Sequence, residues 1–242
     1  MATGRRVDWH VTLATVLSIP LLAACAFSGA GGWNATSTPA PTVANAAAPR
    51  VIVLPAPQLE GSRTLEETLA QRRSVREFSD TPLALAELGQ LLWAAQGITH
   101  PAGLRTAPSA GALYPLQVYA VTREATYHYI PHGHQMTAHI QGDTRPALHA
   151  AALQQGPVLN APAVIVIAAV YAQTAQKYGA ERSPRYVHLE AGHAAQNVLL
   201  QAVALKLGAV PIGAFEDEKV KQALRLPPDQ QPLYLIPVGH PK

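Results

Sequence analysis

Three short segments concentrate side chains that could do chemistry. Arg72, Arg73, Ser74 and Arg76 fall within five residues, and guanidinium forks beside a hydroxyl match the oxygens of a phosphate and of a sugar-like chain attached to it. Pro108, Ser109, Ala110 and Gly111 form a bare turn. Proline fixes φ there, and the small neighbours let backbone N–H groups come close to a flat aromatic ring. Glu190, Gln196 and Asn197 add polar groups to a stretch kept smooth by Ala191, Gly192, Ala194 and Ala195.

In order, spacing and residue type these segments resemble the nitroreductase family of FMN-dependent oxidoreductases, and more narrowly its SagB-type branch of peptide-azoline dehydrogenases. The resemblance runs from about Leu59 to the C-terminus. It is carried by Arg72 to Arg76, Arg105 to Leu116, Lys177-Tyr178-Gly179, Glu190 to Asn197, and Pro211 to Phe215. It implies an α+β fold in which a mixed sheet is flanked by helices, and an intertwined homodimer with each FMN at the interface.

By the same resemblance, Arg72, Arg73, Ser74 and Arg76 hold the phosphate, the ribityl chain and the pyrimidine edge. Pro108 to Gly111 contact the ring, commonly that of the partner subunit. Glu190, Gln196 and Asn197 approach it from a helix, and Pro211, Ile212 and Gly213 bring backbone N–H groups toward N5 or O4. Lys177 and Tyr178 match a Lys-Tyr pair beside the flavin, which can take the proton lost when an azoline is oxidised. Relatives outside this branch carry further basic residues near the C-terminus, whereas this chain stops at Val238-Gly239-His240-Pro241-Lys242.

The activity implied is hydride transfer through flavin N5 from a small or peptidic, azoline-like substrate. Two alternatives stay open: a nitro- or quinone-reductase fed by NAD(P)H, and a flavin-binding electron carrier without turnover. The histidines show no recurrent ligand spacing, so no metal is expected.

Composition narrows the setting. With 242 residues, 48% hydrophobic and 14% charged, the chain can bury one good core. Its net charge of +3 is spread without a basic run, which argues against nucleic acid as a partner. Cys25 is the sole cysteine, so no intrachain disulfide can form. It follows Arg5-Arg6, an apolar stretch from Val11 to Leu22, and the tetrapeptide Leu22-Ala23-Ala24-Cys25, which resembles a bacterial lipobox. Residues 1–24 are therefore expected to be a lipoprotein signal peptide. Residues 25–58, rich in Ala, Pro, Thr, Ser and Gly, are expected to be a lipid-anchored tether, and 59–242 the catalytic domain. That places the domain at the bacterial cell envelope, outside the cytoplasm, on a membrane.

The elements that must position these groups are partly legible. Thr64-Leu65-Glu66-Glu67 is a capping box opening a helix that delivers Arg72 and Arg73 at its end. A second helix is expected from about Leu83 to Gln96, with Leu85, Leu88, Leu91, Leu92 and Ala95 on one side and Gly97 ending it. Strands are expected at Gln117 to Thr122, Ala163 to Val170 and Leu233 to Val238. Ser183 is expected to cap a long helix reaching about Leu207. Tyr127 to Gly142 reads as a substrate-lining loop.

Overall fold

The structure, a computed structural model, describes residues 50–242. The signal peptide, Cys25 and most of the tether lie outside those residues. The tether's last residues, however, are part of the domain. Val51–Val53 (β1) pairs antiparallel with Gln135–Gln141 (β4), Leu54 is 4% exposed, and Gln58 exchanges two hydrogen bonds with Gln90, at 2.8 and 3.0 Å. The run Val51-Ile52-Val53 is β-branched and apolar and leads into Leu54, a signal hidden when composition is averaged over the Ala- and Pro-rich stretch around it.

The centre of the fold is Ala163–Val170 (β5), whose first seven residues are buried. It can be apolar throughout because both of its faces are covered. Ala163, Ile165, Ile167 and Ala169 join a core with the helices Leu85–Gln96 (α2) and Ser183–Ala204 (α6). Val164, Val166 and Ala168 face the opposite core, formed with Arg145–Ala151 (α3), Gly156–Asn160 (α4) and Asp217–Leu224 (α7). Successive strand residues point to opposite faces, so a strand between two helical layers must be apolar at every position.

Around β5 the sheet runs β1, β4, Ala125–Ile130 (β3), Leu116–Thr122 (β2), β5, Gln230–Gly239 (β7) and Gly208–Ala209 (β6). Every ladder is antiparallel. The expected mixed sheet is thus corrected; among the described residues the parallel pairing is the isolated bridge Ser74↔Ala209. The stretch read as a loop from Tyr127 to Gly142 is mostly the β3–β4 hairpin, turning at Gly133 with φ +79°. Its Thr, Tyr and His residues are strand formers whose polar tips masked the alternation.

Leu65–Gln71 (α1) has the expected capping box: Thr64 Oγ1 accepts from Glu67 N–H at 3.2 Å and Glu67 Oε2 from Thr64 N–H at 2.8 Å. A Thr64→Ala variant is expected to lose about 1 kcal/mol of stability in urea unfolding; an unchanged midpoint would show that packing alone holds the helix. α2 ends at Gly97 as anticipated, with Leu88, Leu91, Leu92 and Ala95 buried and Leu85, at its first turn, exposed. The start of α6 differs from expectation. Arg182 takes the N-cap position, and the Ser183 hydroxyl donates instead to the carbonyl of Tyr171 at 2.9 Å, tying α6 to Tyr171–Tyr178 (α5).

Candidate functional site

The Arg72–Arg76 segment leaves α1 extended and lies beside β6. Val75 N–H donates to Ala209 at 3.0 Å, and Ser74 bridges the same residue. Gly208 makes this approach possible, because a Cβ there would stand 2.5 Å from Val75 Cγ1. Gly208→Ala is expected to cost about 2 kcal/mol by overpacking and to push the arginine segment off its strand. Thermal unfolding and a phosphate-ligand titration would check both effects, and a fully native variant would refute the arrangement.

Arg72 is half-buried, while Ser74 and Arg76 are exposed. Arg73 turns back on α1, donating from Nη1 to the carbonyls of Ala70 at 2.9 Å and Arg72 at 2.8 Å. Among the described residues, none of these three arginines has a carboxylate within salt-bridge distance. Their charges are therefore available to an anion.

Two residues past Ala209 comes Pro211. The Pro211–Gly213 bend is pinned to β7 by Ile212, whose N–H donates to Leu235 at 2.8 Å and whose carbonyl accepts from Leu235 at 3.0 Å. Gly213 is exposed, and a Cβ built on it meets nothing within 4 Å. The C-terminus is fastened to the residues just after the arginine segment: Ser79 N–H donates to His240 at 2.9 Å and Lys242 N–H to Glu77 at 3.3 Å. Arg63, Arg73 and Lys206 line an adjoining cleft of about 230 Å³ with Val203, Leu207 and Pro241. Arg63, Lys206 and Lys242 carried no local sequence signal, because only the fold brings them to the arginine segment.

A second group forms around the Pro108–Gly111 turn. Gly111, Ala112 and Tyr114 all have left-handed φ, at +65°, +54° and +51°, a concentration of backbone strain that binding sites often hold. Tyr114 N–H donates to Ser109 Oγ at 2.8 Å, and Ala112 N–H to the Ser109 carbonyl at 3.0 Å. α5 sits against this turn. Gln173 donates its amide to the Leu113 carbonyl, and a Cβ on Gly111 would lie 2.9 Å from Lys177 Nζ and 3.0 Å from the Tyr178 hydroxyl. The two acid–base candidates therefore converge on the bare residue of the turn. The Tyr178 ring packs on Tyr186, with centroids 4.6 Å apart.

Behind the turn lies a polar cluster that local reading missed. Arg105 lies 4.5 Å above the Tyr114 ring and donates from Nη1 to Gln96 Oε1 at 2.8 Å, and Gln96 is 1% exposed. Glu190 projects into this cluster from α6 and is 2% exposed. Burial pushes its carboxyl up to about 7, against the pull of Ser109, Arg105 and Gln96. Glu190 is thus enclosed within the chain, behind the turn. Asn197 is likewise engaged, donating to the Thr106 carbonyl at 3.3 Å. Gln196 is exposed, turned about 100° around α6 from Asn197. Among the described residues no cluster of His, Cys, Asp or Glu is arranged to hold a metal ion.

The two groups sit toward opposite ends of α6. Glu190 belongs to the turn and Val203 to the arginine cleft, and the intervening helix spans about 20 Å at 1.5 Å per residue.

Comparison with known proteins bears on both groups. Residues 69–240 match the nitroreductase family. A protein of Methanocaldococcus jannaschii named as a nitroreductase is 45% identical over 181 residues, covering 72% of this chain and 90% of its own length. The crystal structure of a Ralstonia eutropha protein, also named as a nitroreductase, superposes with a TM-score of 0.71 at 28% identity, over 80% of this chain and 90% of that one. A chain of the E. coli microcin synthetase complex, solved with a truncated pro-peptide bound, shares the fold with a TM-score of 0.63 at 22% identity, over 71% of this chain and 70% of that one.

Proposed function

The chain belongs to the nitroreductase family and is an FMN-dependent oxidoreductase, and from that premise we propose that it is a SagB-type dehydrogenase acting on a small or peptidic, azoline-like substrate. The residues present suit the cofactor. Three guanidinium groups without carboxylate partners flank Ser74, a donor set made for a phosphate dianion. Open space at Gly213 admits a flat ring, and the Gly111 turn brings Lys177 and Tyr178 together. FMN, when bound, supplies a two-electron acceptor at N5.

Oxidising an azoline to its azole removes a hydride and a proton. Lys177 and Tyr178 would take the proton, because both of their polar atoms converge on Gly111 in the turn proposed to border the ring. That convergence is the observation that carries the proposal. An arginine beside the pyrimidine edge would favour the negative charge that reduction brings.

Anaerobic mixing of the FMN-loaded protein with a thiazoline or oxazoline peptide tests this directly. Bleaching of the flavin absorbance by the azoline, but not by NADPH, is the expected result. Bleaching by NADPH alone would overturn it in favour of a nitro- or quinone-reductase, the reading that the name of the Methanocaldococcus relative favours.

Two features of the assembly belong to the same proposal. The separated groups on α6 would complete one site only between two chains, the arginine segment of one facing the turn of the other. A groove of about 500 Å³ along α1, α2 and α6, with Leu59 and Leu65 exposed on its wall, suits such a homodimer; sedimentation as a monomer with full FMN content would refute it. A lipid on Cys25 would hold the domain at the outer side of a bacterial membrane. Labelled fatty acid should enter the wild-type protein and not Cys25→Ser.

A further inference from the structure

We infer that Glu190 is a positioning residue for the Pro108–Gly111 turn, acting through the Ser109 hydroxyl; the inference rests on that turn being the one that meets FMN. The geometry begins with Ser109. Its Oγ already accepts the Tyr114 N–H at 2.8 Å, so its own hydrogen is free to be donated, and the buried Glu190 carboxyl, whose Oε1 has no partner among the described residues, is the acceptor we assign to it. That assignment would link α6 through Ser109 to Tyr114, one of the left-handed residues whose conformation shapes the turn.

The rest of the cluster is complementary to a carboxylate. Among the described residues, Gln96 Nε2 and Arg105 Nε are buried donors without partners, and Glu190 Oε1 is a buried acceptor without one. Gln96 Oε1 is fixed as an acceptor by Arg105 Nη1 at 2.8 Å, which leaves the Gln96 amide nitrogen to face Glu190. Small side-chain rotations would close all three deficits, and leaving them open would be costly in so enclosed a place. The charged and titratable groups facing Glu190 are Arg105, from the loop after α2, and beyond it Tyr114 and Tyr129 of β3; α2 itself contributes the neutral Gln96.

An ionised Glu190 would accept a charge-assisted bond from Ser109, and protonation would weaken it to a neutral one. Ser109 then holds Tyr114 less firmly, and with it the segment under Lys177 and Tyr178. Because burial sets the carboxyl near 7, the turn tightens as pH rises through neutrality.

Full-length protein tests this by two readouts that do not require turnover. Infrared difference titration should show one carboxyl losing its proton near pH 7, and Glu190→Gln should lack that band. Hydrogen exchange of the Tyr114 amide, corrected for its intrinsic pH dependence, should slow several-fold as pH rises from 6 to 8. Glu190→Gln should make this profile flat, Glu190→Asp should restore part of the slope, and Ser109→Ala should give fast exchange at every pH while keeping the infrared band. A Glu190→Gln band or exchange profile identical to wild type overturns the inference, as does slow exchange in Ser109→Ala. Should Glu190→Gln fail to fold, the Ser109→Ala and wild-type profiles decide by themselves. FMN content of the same samples separates the two layers: colourless protein with the expected exchange profile defeats only the flavin assignment of the turn, whereas FMN-loaded protein with pH-independent exchange defeats only the role of Glu190.

Discussion

Turnover of a Lys177→Ala variant falls by about 10²- to 10³-fold, roughly 3–4 kcal/mol of barrier, while its FMN content stays at the wild-type level. The separation of effects follows from position. Lys177 is exposed at the end of α5 and reaches over Gly111, whereas the arginine segment proposed to hold the phosphate sits toward the far end of α6. Removing the amine would therefore delete the proposed proton acceptor without touching the residues proposed to retain the cofactor. Tyr178→Phe tests the same point from the other side, because the phenol oxygen is lost while the ring keeps its packing on Tyr186. If Lys177 and Tyr178 handle one proton between them, the double variant will be little slower than the worse single one. The measurement is the anaerobic half-reaction with an azoline, followed by rapid mixing. A Lys177→Ala protein that bleaches at the wild-type rate removes the acid–base role and leaves the pair as a clamp on the turn.

The sequence made the ends of the site readable and concealed how they are joined. Thr64 and Glu67 announce α1 by a capping pattern that depends on residues three apart, so the delivery of Arg72 could be read locally. β5 was recognisable from its unbroken apolar run. Ser183 was misassigned because its hydroxyl serves α5, a contact that no local rule supplies. Gln96 read only as the end of a helix and Arg105 only as part of the run Arg105 to Leu116, and the packing of α2 against α6 sets them around Glu190. The C-terminal residues repeat the lesson. His240 and Lys242 look like a frayed end, yet their backbones are fastened to Ser79 and Glu77, next to Arg76. Periodicity and caps identify elements. The chemistry of a site assembled from four of them depends on contacts across the whole chain.

The stability of the wild-type protein is expected to decline between about pH 4.5 and 7, and that of Glu190→Gln is not. Burial raises the Glu190 carboxyl from 4.5 to about 7 in the folded chain. Below pH 4.5 the folded and unfolded states both hold the proton, so the group adds no pH dependence. As pH rises further the unfolded chain ionises first, and folding then requires the carboxyl to take its proton back; the stability present at low pH is lost progressively until the folded carboxyl also ionises near pH 7. The difference corresponds to about 3 kcal/mol. The amide that replaces the carboxyl in Glu190→Gln carries no charge, so its contribution is level across this range. A poor fit of that amide against Gln96 Nε2 would shift the whole curve downward, which makes the slope between pH 4.5 and 8 the diagnostic quantity. Urea unfolding at several pH values measures it. Parallel curves for the two proteins would mean that Ser109, Gln96 and Arg105 already compensate the charge fully, and that Glu190 ionises in the ordinary range. A carboxylate kept at such a cost in a helix otherwise lined with alanine is better explained by what it positions than by what it stabilises.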